Sequence, residues 1–304
     1  MDMSGIISKM LLLMLTIGIG FIANKCGAMN GEFSSRLSKF LLNVTVPGAL
    51  LSAGVNGDIA LSPAELLKLF ALAAGLFVLL LAVAYAVPPV IRAKADEKGT
   101  YRFLMAFSNT IFMGYPVATA FFGASSVFYI AVLSLPLNIA VFTIGPKMIT
   151  DGKSGSMNWK SLLSPATIAA VLSLLIIAFG IKAPPVIGEL CSSVGAATSP
   201  IALMIIGSNL ADTPFREIFG DRRMYLFSIF RLIVQPVICH FIFGIFVSDP
   251  VLLGCMTILA GLPSASMATL VSAQYGGNEK LASRGVMMST LLSVVTIPLV
   301  MYLL

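Results

Sequence analysis

Two stretches of this 304-residue chain set polar and helix-breaking residues into sequence that is otherwise apolar. The first, FSNTIFMGYPVATAFFG, brings Asn109, Thr110, Gly114 and Pro116 close together. The second, LAGLPSASMATLVSAQYGG, does the same with Gly261, Pro263, Ser264 and Ser266. Proline removes a backbone N–H and its ring clashes with the preceding turn, while glycine frees the backbone just before it. Each Gly-x-Pro is therefore read as a break, and Pro116 and Pro263 as the starts of half-helices, a position proline suits. A helix N-terminus carries unbonded N–H groups and a partial positive charge. Two of them meeting would bind an anion without any basic side chain. The Asn109 amide adds a donor, because a buried amide must find a partner. Thr110, Thr119, Ser264, Ser266 and Thr269 flank the breaks, where small hydroxyl residues equally serve close helix packing.

The elements that position these residues follow from composition. The chain is 58% hydrophobic and only 11% charged, too few charges to cover a soluble surface. A membrane-crossing helix needs about 20 apolar residues, so the length holds about ten spans and no separate soluble domain. The apolar runs put spans near 5–24, 33–55, 64–91, 101–123, 126–149, 161–181, 186–210, 224–247, 250–275 and 281–304. Polar breakers such as RAKADEKGTYR and TDGKSGSMNWK separate them. The first apolar run is taken as a helix of the protein, not as a removable leader, because dropping it leaves an odd number of spans. The two breaks then fall in spans four and nine.

Of the 19 Lys and Arg, 15 fall in the loops on one side of this arrangement, and Lys9, Lys68 and Lys182 on the other, with Arg231 left inside span eight. Positive loops face the cytoplasm, which puts both termini outside. The same distribution accounts for the net charge of +6 without nucleic acid as a partner. The halves match in their breakers: Pro47 in span two against Pro200 in span seven, and Gly114–Pro116 against Gly261–Pro263. Five spans per half requires the second half to be inverted. Matched broken helices in inverted repeats belong to secondary transporters. The expected fold is thus an all-α polytopic membrane protein of ten transmembrane helices. Its two inverted five-helix repeats, residues 1–150 and 151–304, contain crossing broken helices four and nine.

All 13 acidic residues lie in loops or near span ends, so no carboxylate is offered to a coupling cation in mid-membrane. Sodium held by carbonyls and hydroxyls stays open. Cys26, Cys191, Cys239 and Cys255 are scattered, and a single His completes no zinc set, so neither metal nor cofactor is expected. The same scarcity argues against a membrane-embedded enzyme. Arg231 has two readings: a snorkelling or carbonyl-bonded structural residue, or a group that attracts the anion or latches a moving unit. His240 reads as a helix–helix hydrogen bond or a titrating group. Asn43, Asn138, Asn209 and Gln235 are secondary candidates.

The quoted stretches, with LASRGVMMSTLLSVVTIPLVMYLL, SKFLLNVTVPGALL in span two and RLIVQP in span eight, resemble the auxin efflux carrier family over essentially the whole chain. The Asn-Thr-x-x-Met-Gly-x-Pro pattern at Asn109 to Pro116 is similar to its plant members. The resemblance implies a scaffold of spans one, two, six and seven and a transport unit of spans three to five and eight to ten. It also implies a substrate site at the crossing of spans four and nine, and a homodimer. The long central loop of many plant members is reduced here to about ten residues, as in compact bacterial permeases. The expected function is a carrier of small carboxylates across the inner membrane by alternating access, in the export direction. The alternative is a sodium-coupled importer of the bile-acid-carrier type, and a non-transporting receptor is the reading outside transport.

Overall fold

Helices are the only way a chain this apolar can satisfy its backbone without water, short of a closed barrel. The computed structural model describes residues 3–56, 62–150, 164–181, 183–212 and 221–304. The central loop with Lys153 and Lys160, together with Lys182 and Arg216, lies outside them. The described residues form helices α1 (Met3–Lys25), α2 (Gly31–Phe40), α3 (Val46–Val55), α4 (Pro63–Val90), α5 (Lys98–Ala106), α6 (Tyr115–Phe122), α7 (Ser126–Ile149) and α8 (Pro165–Phe179). After these come α9 (Pro185–Ala196), α10 (Thr198–Ala211), α11 (Arg222–Ile229), α12 (Gln235–Gly244), α13 (Pro250–Gly261), α14 (Met267–Tyr275) and α15 (Glu279–Leu303). Among the described residues the only β-type pairing is a single antiparallel bridge between Ser108 and Ser264.

Among the described residues, five helical stretches are long and apolar enough to cross a membrane: Gly31–Val55, Ala64–Val90, Pro185–Ala211, Arg222–Gly244 and Glu279–Leu303. α7, bent by 51° near Val141, makes a sixth if taken as one span. Leu11–Lys25, Thr110–Phe122, Pro165–Phe179 and Pro250–Gly261 are shorter apolar helices in the places of the remaining expected spans. Large apolar side chains are exposed along many of these helices, among them Leu15, Ile19, Leu67, Val78, Phe179, Ile245 and Phe246. Water would penalise such a surface; hydrocarbon does not.

The chain divides into two compact units. One holds Met1–Leu72, Ile111–Leu133 and Leu163–Thr213. Within it, small residues let helices approach closely, the usual mode of packing where no water drives association. Gly20 of α1 lies against the Met204 backbone of α10, and Gly207 of α10 against the Ile17 backbone of α1. Gly195 of α9 meets Ala49 of α3. Polar ends staple the same pairs: Lys25 Nζ donates to Ala211 O at 2.8 Å, capping the C-terminus of α10. Ser52, Asn56 and Ser192 share hydrogen bonds of 2.8–3.0 Å between α3 and α9.

The other unit holds Ala73–Thr110, Ser134–Leu162 and Pro214–Leu304. It contains α5, α11 to α15 and both irregular segments of the site. At its edge Arg223 Nη1 donates to Glu97 Oε2 at 2.6 Å, tying the start of α11 to the turn before α5.

Three prolines are absorbed without breaking their helices. Five-residue π-turns at Leu41–Thr45, Thr110–Gly114 and Phe230–Val234 precede Pro47, Pro116 and Pro236, each the second residue of the helix that follows. A proline ring strikes the carbonyl four residues earlier. Here those carbonyls belong to Asn43, Phe112 and Leu232, the middle residue of each π-turn, where the wider turn makes room. This corrects one expectation. Gly114-Tyr115-Pro116 is helical, with Gly114 at φ −61° and ψ −51°. The break in span four lies upstream, at Phe107 to Asn109, where Phe107 is extended at φ −105° and ψ 124°. The second break coincides with its motif: α13 ends at Gly261, and Leu262 is extended at ψ 150°.

Candidate functional site

Ending a helix inside an apolar unit leaves its last carbonyls without partners, each costly away from water. The two breaks solve this for each other. Asn109 N donates to Pro263 O and Ala265 N to Phe107 O, both at 2.9 Å. The serines of the bridge then reach past it. Ser108 Oγ donates to Leu259 O at 2.9 Å, near the end of α13, and Ser264 Oγ to Leu104 O at 2.8 Å, near the end of α5. Ser264 N donates to Ser289 Oγ of α15 at 3.1 Å. The result is a reciprocal clamp in which each broken segment caps the other's preceding helix.

Arg231 completes it. The side chain leaves the π-turn before α12 and is fully buried. Its Nε donates to Leu262 O at 3.0 Å, Nη1 to Met105 O and to Gln235 Oε1 at 3.4 Å, and Nη2 to Ser108 Oγ at 2.7 Å. Among the described residues no carboxylate pairs with it. Its counter-charge is instead the C-terminal ends of α5 and α13, each equivalent to roughly half a negative charge.

Of the expected site residues, the structure brings together Asn109, Thr110, Gly261, Pro263, Ser264 and Arg231 around the paired breaks. Pro263 accepts from Asn109, and a side chain at Gly261 would press on Pro236 at 3.2 Å. Ser264 is fully buried and engaged through both N and Oγ. Thr110 Oγ1 turns back to Ser108 O at 3.4 Å. Ser266, just before α14, is exposed, and Thr269 is half-buried. Gly114 and Pro116 belong to the other unit, which the chain re-enters at Ile111. His240 Nδ1 lies 3.3 Å from Thr257 Oγ1, a contact between α12 and α13.

Asn109 stands apart from these. It is 5% exposed, and its side-chain amide makes no hydrogen bond to any described residue. Every other polar side chain at the breaks that is buried has a partner. Ser108 and Ser289 are functional in the clamp and carried no signal of their own in the sequence. The one available clue was that Ser108 and Ser264 sit 156 residues apart, about half the chain.

Apolar helices with lipid-suited surfaces, two interrupted helices paired at their breaks, and an enclosed amide that bonds no described residue define the class: a polytopic membrane transporter. The chain matches the model of the membrane transport protein family over residues 5–301 and belongs to that family, the one that includes the auxin efflux carriers. Two of its relatives align over nearly their whole length. An uncharacterized transporter of Methanocaldococcus jannaschii is 25% identical over 303 residues, covering 95% of this chain and 96% of its own. A protein of Rhizobium meliloti named "Putative malonate transporter" is 22% identical, with 94% and 92% covered. The uncharacterized transporter YfdV of Escherichia coli is 26% identical over 218 residues, 66% of each chain.

Proposed function

We propose that this transporter carries small organic anions, monocarboxylates or dicarboxylates, and that the anion binds at the paired breaks. The Asn109 amide, which bonds no described residue, carries the reading. It leaves a donor for a ligand, and a hydrogen bond from it to a charged carboxylate oxygen contributes about 1.5–3 kcal/mol. Thr110 offers a hydroxyl on the next residue, and the N-terminus of α14, which follows Ser266, adds its partial positive charge. Gly261, Pro263 and Ser264 shape the backbone around this position. The malonate named for one relative is a dicarboxylate of this class.

Around this site we read ten spans in two inverted repeats, with both termini outside the inner membrane and alternating access of a transport unit (spans three to five and eight to ten) against a scaffold (spans one, two, six and seven). The family resemblance adds a homodimer. A negative-inside membrane favours the exit of an anion by about 2.3 kcal/mol per charge per 100 mV, or roughly 50-fold accumulation outside. Export therefore needs no coupling ion, whereas import would.

The test is thermal stabilisation of the purified protein by a panel of mono- and dicarboxylates that includes malonate, with sodium or with choline as the cation. Stabilisation by carboxylates that is indifferent to sodium supports export of organic anions. Stabilisation seen only with sodium supports the coupled importer, and no response to any organic acid defeats both.

A further inference from the structure

In secondary transporters, unwound carbonyls and the C-terminal ends of half-helices are the groups that hold a coupling cation. Those groups are present here. Met105 O belongs to the last turn of α5 and Leu262 O to the end of α13, and Gln235 Oε1 and Ser108 Oγ lie beside them. All four oxygens point at one cation, and that cation is the guanidinium of Arg231. We infer that Arg231 is a tethered cation that fills the coupling-ion position of the crossover, so that this position binds no dissociable ion. It rests on the carrier reading above only for the step from cation site to coupling.

The charge arithmetic closes. Two helix C-termini supply about one negative charge between them, and one guanidinium supplies one positive charge. A soluble ion in this place could leave on either side of the membrane and so tie its own gradient to the substrate. A covalently attached one cannot. It neutralises the negative ends permanently and leaves the positive end of α14 uncompensated for an anion. Arginine fits the task better than lysine. It stays charged, and its planar fork reaches oxygens on two different helix ends at once. Snorkelling is excluded by its complete burial. The same bonds explain why no intramembrane carboxylate is needed here.

The experiment measures thermal unfolding of the purified protein in sodium, potassium or choline chloride at matched ionic strength, for wild type and for Arg231→Ala and Arg231→Lys. Wild type should give one Tm in all three salts. Arg231→Ala should melt lower and regain most of the loss with millimolar guanidinium, but not with its neutral isostere urea. Arg231→Lys should fall between, because an ammonium keeps the charge and loses the fork. A saturable rise of the wild-type Tm with sodium alone would overturn the inference, since a dissociable cation would then be bound. So would a folded Arg231→Ala protein indifferent to guanidinium. Should Arg231→Ala not fold, the wild-type salt series and Arg231→Lys decide the matter, and an Arg231→Lys protein melting with wild type overturns the inference. None of these readings needs a substrate. If no organic acid binds, the anion-carrier reading falls while the cation result stands by itself.

Discussion

At the scale of single residues, the site separates groups that hold the backbone from a group left for a ligand. Ser108, Ser264 and Arg231 spend their donors on carbonyls at helix ends, whereas the Asn109 amide spends none on a described residue. Substitutions should divide the same way. Asn109→Ala removes a donor to a charged acceptor, worth about 1.5–3 kcal/mol, or roughly 10- to 150-fold in affinity for the carboxylate found by thermal stabilisation. Asn109→Asp should bind more weakly still at neutral pH, because a negative charge then faces an anion, and should recover in part as acidification protonates it. Both proteins should fold as wild type does, since the amide bonds none of the described residues. Binding measured on monodisperse protein decides it: wild-type affinity in both variants removes Asn109 from the site.

At the scale of elements, proline and glycine act through geometry that their presence alone does not reveal. Pro116 marks a π-turn and leaves the helix continuous, whereas the true break at Phe107 to Asn109 contains neither proline nor glycine. Glycine matters most where helices touch. Any side chain at Gly207 would collide with the Ile17 backbone, and Gly20 stands in the same relation to Met204. Gly207→Val should therefore force α1 and α10 apart and destabilise the protein by at least about 1–3 kcal/mol. Gly18, close by on α1 and open to space, is the control, and Gly18→Ala should be nearly neutral. Melting temperatures of the two variants in the same detergent make the comparison.

At the scale of the whole molecule, the orientation proposed from charge is open to a direct test. Cys26, exposed at the end of α1, lies beside Lys25 on the side expected to face the cytoplasm, while Cys239 and Cys255 are buried. In a Cys191→Ser background, an impermeant maleimide should label Cys26 only after the cells are made permeable. Labelling of intact cells would reverse the orientation.

The sequence by itself determined that the chain is a helical membrane protein, where its five long apolar helical stretches fall, that two helical segments are interrupted, and that Asn109 belongs to an interruption. These are local properties: apolar runs, charge in loops, and residues whose backbone chemistry disfavours a helix. The tertiary structure alone decided where span four opens and what closes it again. Ser108 and Leu259 are 151 residues apart, Ser264 and Leu104 are 160 apart, and Arg231 reaches Ser108 across 123. A carbonyl at a helix end needs some donor, but no local pattern states which one will arrive. The antiparallel bridge between the two breaks supplies bonds that a continuous helix would have made internally, and this lets span four open at an ordinary Phe-Ser-Asn instead of at its proline. For the same reason Arg231, ambiguous as one cation in an apolar run, became legible only when the ends of α5 and α13 were seen to converge on it.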